Sequence, residues 1–395
     1  MSWVKVKLGD ITDFSNGINF SKDAYAKGVK LIGVSNFGNR FYPEYEALEE
    51  IKEEVVRKSD LLTSGDIIFV RSNGNKELVG RCMLINCPPE RVTYSGFCIR
   101  ARLKDTTKHD PVFWTYHFKS MAFRRAMAGT AVGANIQNLS QSRLSDYEAT
   151  IPDIDMQKRI AAILSVYDDL IENNQKQIKL LEEAAQRLYK EWFVDLRFPG
   201  YEDAVIFDGV PEGWKEQTLS EIADVVMGQS PKSEFYNQTQ EGLPFHQGVG
   251  SYGTRFVIDE TYSTSFTRIA EVNSVLFSVR APVGRLNVTK NRIVIGRGLA
   301  AINQKDGCQS FLFYLLKERF FKDDVVGNGS IFASISKDEL LGQRFIIPDK
   351  GLIMRFNDLA VQLDKKIAAL DSQTQLLKQA RDRLLPKLMS GEIEV

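Results

Sequence analysis

Three stretches of the sequence carry residue types that catalysis could use, and each fails on pattern or position. Gly296-Arg297-Gly298-Leu299-Ala300-Ala301, after Val294-Ile295, fits the glycine pattern that lets a backbone approach a pyrophosphate at a helix N-terminus. Its counterpart in an internal duplication, read as Gly96-Phe97-Cys98-Ile99, is a β-rich segment, so no nucleotide site is expected. Asn86-Cys87-Pro88-Pro89-Glu90 departs twice from the Asn/Asp-Pro-Pro-aromatic tetrad with which an amino-methyltransferase would hold its base. Pro152-Asp153-Ile154-Asp155-Met156-Gln157-Lys158 has the carboxylates and lysine of a metal-dependent nuclease, but it lies where a helix begins and Asp serves as a cap. Walker and nucleophile-elbow motifs are absent. Four cysteines (Cys82, Cys87, Cys98, Cys308) and three histidines (His109, His117, His246) show neither C-x-x-C nor H-x-x-x-H spacing. A zinc site and a disulfide framework are therefore not expected, and the cysteines read as reduced core residues. The chain is expected to catalyse nothing and to hold no metal or cofactor of its own.

What remains is chemistry of recognition. Formal net charge is zero, which argues against a simple basic nucleic-acid binder. The distribution is uneven, because residues 61–143 carry twelve Lys or Arg against five acids, and residues 268–305 carry seven against Glu271 alone. A basic face on each half is compatible with overall neutrality; scattered solvated charge is the other reading. Loops mixing cations, amides and hydroxyls recur at equivalent places. Arg71-Ser72-Asn73-Gly74-Asn75-Lys76 leads to Gly80-Arg81, and Arg280 leads through Pro282 to Gly284-Arg285. A second loop with Thr130, Gly133, Asn135, Gln137 and Ser140 matches one with Gly329, Ser330, Ser334 and Ser336. Cations suit phosphates, and amides, hydroxyls and Arg suit base edges; alternatively, Asn and Gly serve only turn geometry. Arg40 and Arg255 share a Phe/Tyr-Gly-x-Arg-Phe element, so each could meet a phosphate or a guanine, or make a salt bridge within its domain.

The elements that would position these loops follow from periodicity. Residues 153–198 hold no Gly, and their apolar positions (Ile160, Leu164, Tyr167, Ile171, Ile178, Leu181, Ala185, Leu188, Trp192) step by four and three, with Asn174 filling the one gap. That spacing predicts a helix of ~60 Å that needs a helical partner. Adding 196 to those positions gives Phe356, Ala360, Leu363, Ile367, Leu370, Thr374, Leu377, Arg381, Leu384 and Leu388. The chain is thus a duplication. Upstream of each helix, short apolar runs (67–70, 97–99, 275–279, 299–302) predict strands, and residues 113–127 and 311–321 predict a helix each. Phe198-Pro199-Gly200 ends the first rod, and the second runs from about Leu352 to Pro386. The fold class is α+β: two similar mixed domains joined by two long helices in an antiparallel coiled coil, with pseudo-twofold internal duplication. The predicted divisions are 1–152, helix 153–198, linker 199–213, 214–348, and helix with tail 349–395. The helix seam is expected at Ile160, Leu164, Ile171, Asn174, Leu181, Leu188, Leu363, Ile367, Leu370, Leu377 and Leu384. No apolar run approaches the roughly 18 residues of a membrane span, and a cytoplasmic protein is expected.

Trp192-Phe193-Val194-Asp195-Leu196-Arg197-Phe198-Pro199-Gly200, then Pro211-Glu212-Gly213-Trp214, and the tail from Leu384 to Ile393 resemble the specificity subunit of type I restriction-modification systems. The resemblance spans essentially the whole chain. It implies that 1–152 and 214–348 are target recognition domains, each reading half of a bipartite double-stranded DNA site. It also implies that the paired helices set the gap and dock two methyltransferase subunits, with restriction subunits in the full complex. S-adenosylmethionine, ATP and Mg would belong to those partners. Candidate DNA contacts are Arg40, Arg71, Asn73, Asn75, Lys76, Arg81, Thr130, Asn135, Gln137, Arg255, Arg280, Arg285, Arg297 and Ser330. The competing class is a scaffold whose coiled coil and heads bind proteins rather than DNA.

Overall fold

The computed structural model describes residues 3–38, 40–73, 78–86, 88, 91–128, 137–320 and 334–395. The chain forms two compact units, Met1–Asn174 with Gln373–Val395, and Gln175–Ser372. Each therefore takes a globular domain and a share of both long helices.

The two domains repeat one topology. In the first unit a four-stranded antiparallel sheet runs in the order Thr12–Asn16, Cys98–Leu103, Ile67–Val70, Cys82–Leu84; in the second the order is Ala223–Met227, Leu299–Gln304, Val275–Ser278, Leu286–Val288. Ile67-Ile68-Phe69-Val70 is a continuous apolar run because both of its faces are covered. Ile67 and Phe69 pack with Phe113, Trp114 and Phe118, whereas Ile68 and Val70 pack with Ile32 and Tyr94. Val275 and Phe277 likewise join Phe311 and Tyr314, while Leu276 joins Ile293 and Ile295. A smaller sheet lies beyond, built on the parallel pair Tyr25–Ile32 with Val92–Tyr94, or Leu243–His246 with Ile293–Ile295. A further antiparallel pair closes each domain beside its long helix: Val4–Lys7 with Glu148–Ile151, and Lys215–Thr218 with Arg344–Ile347.

The long helices are Ile154–Phe193 and Lys350–Ser390. Their starts are capped alike: Asp153 Oδ1 accepts from Met156 N at 2.9 Å, and Asp349 Oδ1 accepts from Leu352 N at 3.0 Å. In the first unit Ile160, Ala161 and Leu164 share a core with Leu385 and Leu388, and Asn174 Nδ2 donates to Gln373 Oε1 at 3.3 Å. In the second unit the Phe356 ring lies 5.7 Å from Tyr189 and 6.0 Å from Trp192. Partner numbers fall as the first helix rises, which makes the pairing antiparallel.

Three expectations change. The helix over 113–127 is two helices, Pro111–Lys119 and Met121–Ala128, because Ser120 is extended (ψ 147°) and its hydroxyl caps the second through Phe123 N. The first rod stops at Phe193 rather than Phe198, since Leu196 takes the left-handed conformation (φ 56°). Pro386 lies inside the second rod instead of ending it. Its exposed ring forfeits one backbone hydrogen bond, and burial of Leu385 and Leu388 on either side offsets that loss.

Candidate nucleic-acid interface

In each unit the strands of the main sheet release their loops at one end, and backbone hydrogen bonds lock those loops together. Gly17 N donates to Cys98 O (3.1 Å), Ile18 N to Tyr94 O (3.0 Å) and Gly96 N to Ile18 O (2.7 Å). Arg71 N then donates to Phe97 O (2.8 Å) and Leu139 N to Arg71 O (2.9 Å). Beyond this point Ser72–Asn73 pairs antiparallel with Gln137–Asn138, Asn73 opposite Gln137. The two polar loops singled out in the sequence are therefore neighbours.

The second unit repeats the arrangement. Gly228 N donates to Leu299 O (2.9 Å), Gln229 N to Ile295 O (2.9 Å), Val279 N to Gly298 O (2.9 Å) and Ile335 N to Val279 O (3.0 Å). Arg280 and Ser334 form a bridge where Ser72–Asn73 pairs in the first unit. Close approach explains the paired glycines: a Cβ on Gly17 would lie 2.2 Å from Ser95 O, and one on Gly228 2.1 Å from Gly296 O. Matched bonds set Phe97 opposite Gly298 and Arg71 opposite Val279, one residue away from the alignment of Gly96 with Gly298 read in the sequence. Leu299–Gln304 is a strand, so Gly296 to Ala301 is a turn into a sheet.

Arg280 and Arg297 are exposed, Arg71, Arg81 and Arg285 half-buried. The Arg71 guanidinium donates to Gly96 O (3.3 Å), within the loop cluster, and that of Arg81 to Gly38 O (3.1 Å). Ser230 Oγ accepts from Arg297 N (3.2 Å) and donates to Gln247 Oε1 (2.8 Å), joining three loops. Arg40 is exposed but paired with Glu44 at 2.6 Å. Arg255 leaves the candidate set. It is 5% exposed, its Nη2 donates to Asp364 Oδ1 at 2.7 Å, and its guanidinium lies 3.4 Å from the Phe313 ring centroid. A cation held that way is spent on a salt bridge, though to the long helix of its unit rather than inside the domain as the sequence alternative had it. Asn75, Lys76, Thr130, Asn135 and Ser330 lie outside the described residues, and Asn73 and Gln137 are placed by their backbones.

Several cations of the basic segments are neutralised within the fold. Arg102 bonds buried Asp66 (2.6 Å), Arg91 bonds Glu53 (2.8 Å), Lys290 bonds Asp371 (2.5 Å) and Arg292 bonds Glu271 (3.0 Å). Lys119 donates to Arg40 O (2.8 Å), and burial lowers its pKa, so it braces a loop instead of offering a solvated charge. The sequence reading also passed over His246, which bonds Ser251 Oγ (2.8 Å) through Nδ1 and Asp259 Oδ1 (3.0 Å) through Nε2. These are the residue types of a hydrolase triad. The ring is fully buried, however, so the group fastens the turn Val249–Ser251 rather than meeting a substrate. Ser251 and Asp259 follow the histidine by 5 and 13 residues, and the irregular turn between them, not a helix or strand period, brings them to the ring.

Along the paired helices Ile160, Leu164, Ile171, Asn174, Ile367 and Leu370 are buried, and Leu181, Leu188, Leu363, Leu377 and Leu384 partly buried. Among the described residues no cluster of three or more His, Cys, Asp or Glu could hold a metal ion, and no helix is long and apolar enough to cross a membrane.

A duplicated domain, each copy carrying a share of both long helices and the same loop cluster at the same end of its sheet, defines a protein with two like sets of recognition loops. The family described as type I restriction modification DNA specificity domain matches residues 1–183 and again 211–379, and the chain belongs to it. It is a DNA specificity subunit of the type I restriction-modification kind. The chain is 29% identical over 361 residues to the assigned specificity subunit of the type I restriction enzyme MjaX of Methanocaldococcus jannaschii, spanning 88% of this chain and 83% of that one. It is 23% identical to the HindI specificity subunit of Haemophilus influenzae, spanning 99% of each. The crystal structure of the type I system S subunit from M. genitalium shares the fold, with a TM-score of 0.58 at 17% identity over 98% of this chain and 96% of that one. These likenesses do not favour the scaffold reading.

Proposed function

We propose that each domain reads one half of a split duplex DNA target through its locked loop cluster. The two long helices set the gap between half-sites and dock two methyltransferase subunits, to which restriction subunits add. The observation that carries this is the repetition of the cluster: Ser72 against Asn138 in one unit and Arg280 against Ser334 in the other. Cations there supply phosphate affinity, and amides and hydroxyls beside them supply base-edge donors and acceptors. The chain itself does no chemistry. S-adenosylmethionine, and base flipping with it, belongs to the methyltransferase partners, and ATP and Mg to the full complex. The setting is cytoplasmic. Exposed Leu170 and Leu359, with half-buried Ile163, are the helix positions offered to partners.

The test removes one heptad from each long helix together and sequences the methylated sites in cells. Seven residues shorten a helix by roughly 10 Å, about three base pairs, so the gap should contract by that much while both half-sites stay the same. An unchanged gap refutes the ruler; loss of sequence preference in wild type refutes DNA reading.

A further inference from the structure

Phe97 is the residue of the first cluster that neither charge nor hydrogen bonding explains. Its side chain is 61% exposed, although its backbone is gripped from both sides. Arg71 N (2.8 Å) and Ser72 N (3.4 Å) both donate to Phe97 O, and the Arg71 guanidinium reaches Gly96 O at 3.3 Å. On the other side Gly96 N donates to Ile18 O at 2.7 Å, so the turn is held by backbone hydrogen bonds from two neighbouring loops. A turn that holds a large apolar group in water leaves its burial energy unrealised. An occupant that covers it recovers that energy.

We infer that Phe97 is a specificity-determining residue: its ring meets the C5-methyl group of a thymine in the major groove of the first half-site. This rests on the DNA-reading function proposed above and goes further by naming the base. Duplex DNA is the occupant because the chain flanking the turn is cationic and polar: the Arg71 guanidinium bonds Gly96 O of the same turn, and the Ser72–Asn73 pairing with Gln137–Asn138 follows directly. In the major groove thymine alone offers an apolar methyl among donors and acceptors, and a phenyl ring is a suitable partner for it. The second unit differs at the same turn. Gly298 stands opposite Phe97 and exposed Arg297 precedes it, so that half-site has no apolar reader there.

The test uses the full chain assembled with its methyltransferase subunits and duplexes bearing the target found by methylation sequencing. Each thymine in turn is replaced by uracil, which pairs identically but lacks the methyl. One uracil in the first half-site should weaken wild-type binding roughly fourfold, the scale of one methyl's burial. Phe97→Ala should lose the same factor on thymine DNA and become indifferent to that uracil, while Phe97→Leu keeps most of the discrimination. Uracils in the second half-site should affect wild type and variant equally. The inference is overturned if Phe97→Ala binds like wild type, if it weakens all sequences alike, or if no uracil matters. Retained sequence preference in those cases leaves DNA reading intact. Wild type without any preference for its target over random duplex brings down both. The exposed position makes misfolding easy to exclude by an unchanged melting curve.

Discussion

The two units keep the same acidic post but bring the arginine to it from different places. Asp168 and Asp364 are 196 positions apart, on equivalent turns of the two long helices. Each accepts from a tyrosine of its own domain: Tyr116 at 2.6 Å in the first unit, Tyr314 at 3.1 Å in the second. In the first unit the cation is Arg381 of the other long helix, so the pair ties helix to helix. In the second it is Arg255 of the globular domain, so the pair ties domain to helix. The unused positions have been released in each case. Arg40, the counterpart of Arg255, turns out to Glu44, and Ala185, the counterpart of Arg381, is a small core residue. A duplicated fold thus conserves the electrostatic need of a half-buried carboxylate while leaving the supplier free to change.

The contrast predicts unequal dependence on the two carboxylates. Asp364→Asn strands a buried Arg255 and should cost about 3–5 kcal/mol, read as faster hydrogen exchange in the Gln309–Phe320 helix. Asp168→Asn should cost less, about 1–2 kcal/mol, because Arg381 is more open to solvent and retains Asp382 at 2.8 Å. Equal losses would break the comparison.

A second asymmetry is acid sensitivity. Burial pushes His117 down to about 4, while its counterpart in the second unit is the buried Leu315. Between pH 6.5 and 4 an unfolded His117 binds a proton that the folded one refuses. Stability of the first unit therefore falls as pH drops through that window, by about 3 kcal/mol at its acid end. Acid unfolding should begin in the first unit, and His117→Leu should remove the difference.

Asn174 sharpens the comparison further, since its counterpart Leu370 is apolar and equally buried. Asn174→Leu should raise stability by about 1 kcal/mol and loosen the helix register, detected as a mixture of gap lengths among methylated sites. The smallest effect is expected at the surface. Arg280→Ala should lower the salt slope of DNA binding by about one unit, with the preference in the first half-site unchanged.

Much of the architecture was legible because paired helices and doubly covered strands leave periodic traces. The four-and-three rhythm from Ile160 to Trp192, its echo at Phe356 to Leu388, and the apolar run Ile67–Val70 all report burial, which amino-acid type records directly. The loop clusters were legible as composition, yet their proximity was not, since it rests on backbone bonds such as Leu139 N to Arg71 O that any residue could make. Arg255 misled because its partner stands 109 residues along the chain. Pro386 misled because a local helix breaker was outweighed by tertiary burial of its neighbours.

The first unit is assembled from both extremities of the polypeptide, Met1–Asn174 and Gln373–Val395, whereas the second is one unbroken stretch. During synthesis the second unit can close as soon as its own residues have emerged, but the earlier-made domain must wait for Leu385 and Leu388 to complete its interior. A segment made earlier is thus finished later, and a frameshift beyond Ser372 would injure the first unit while sparing every residue of the second.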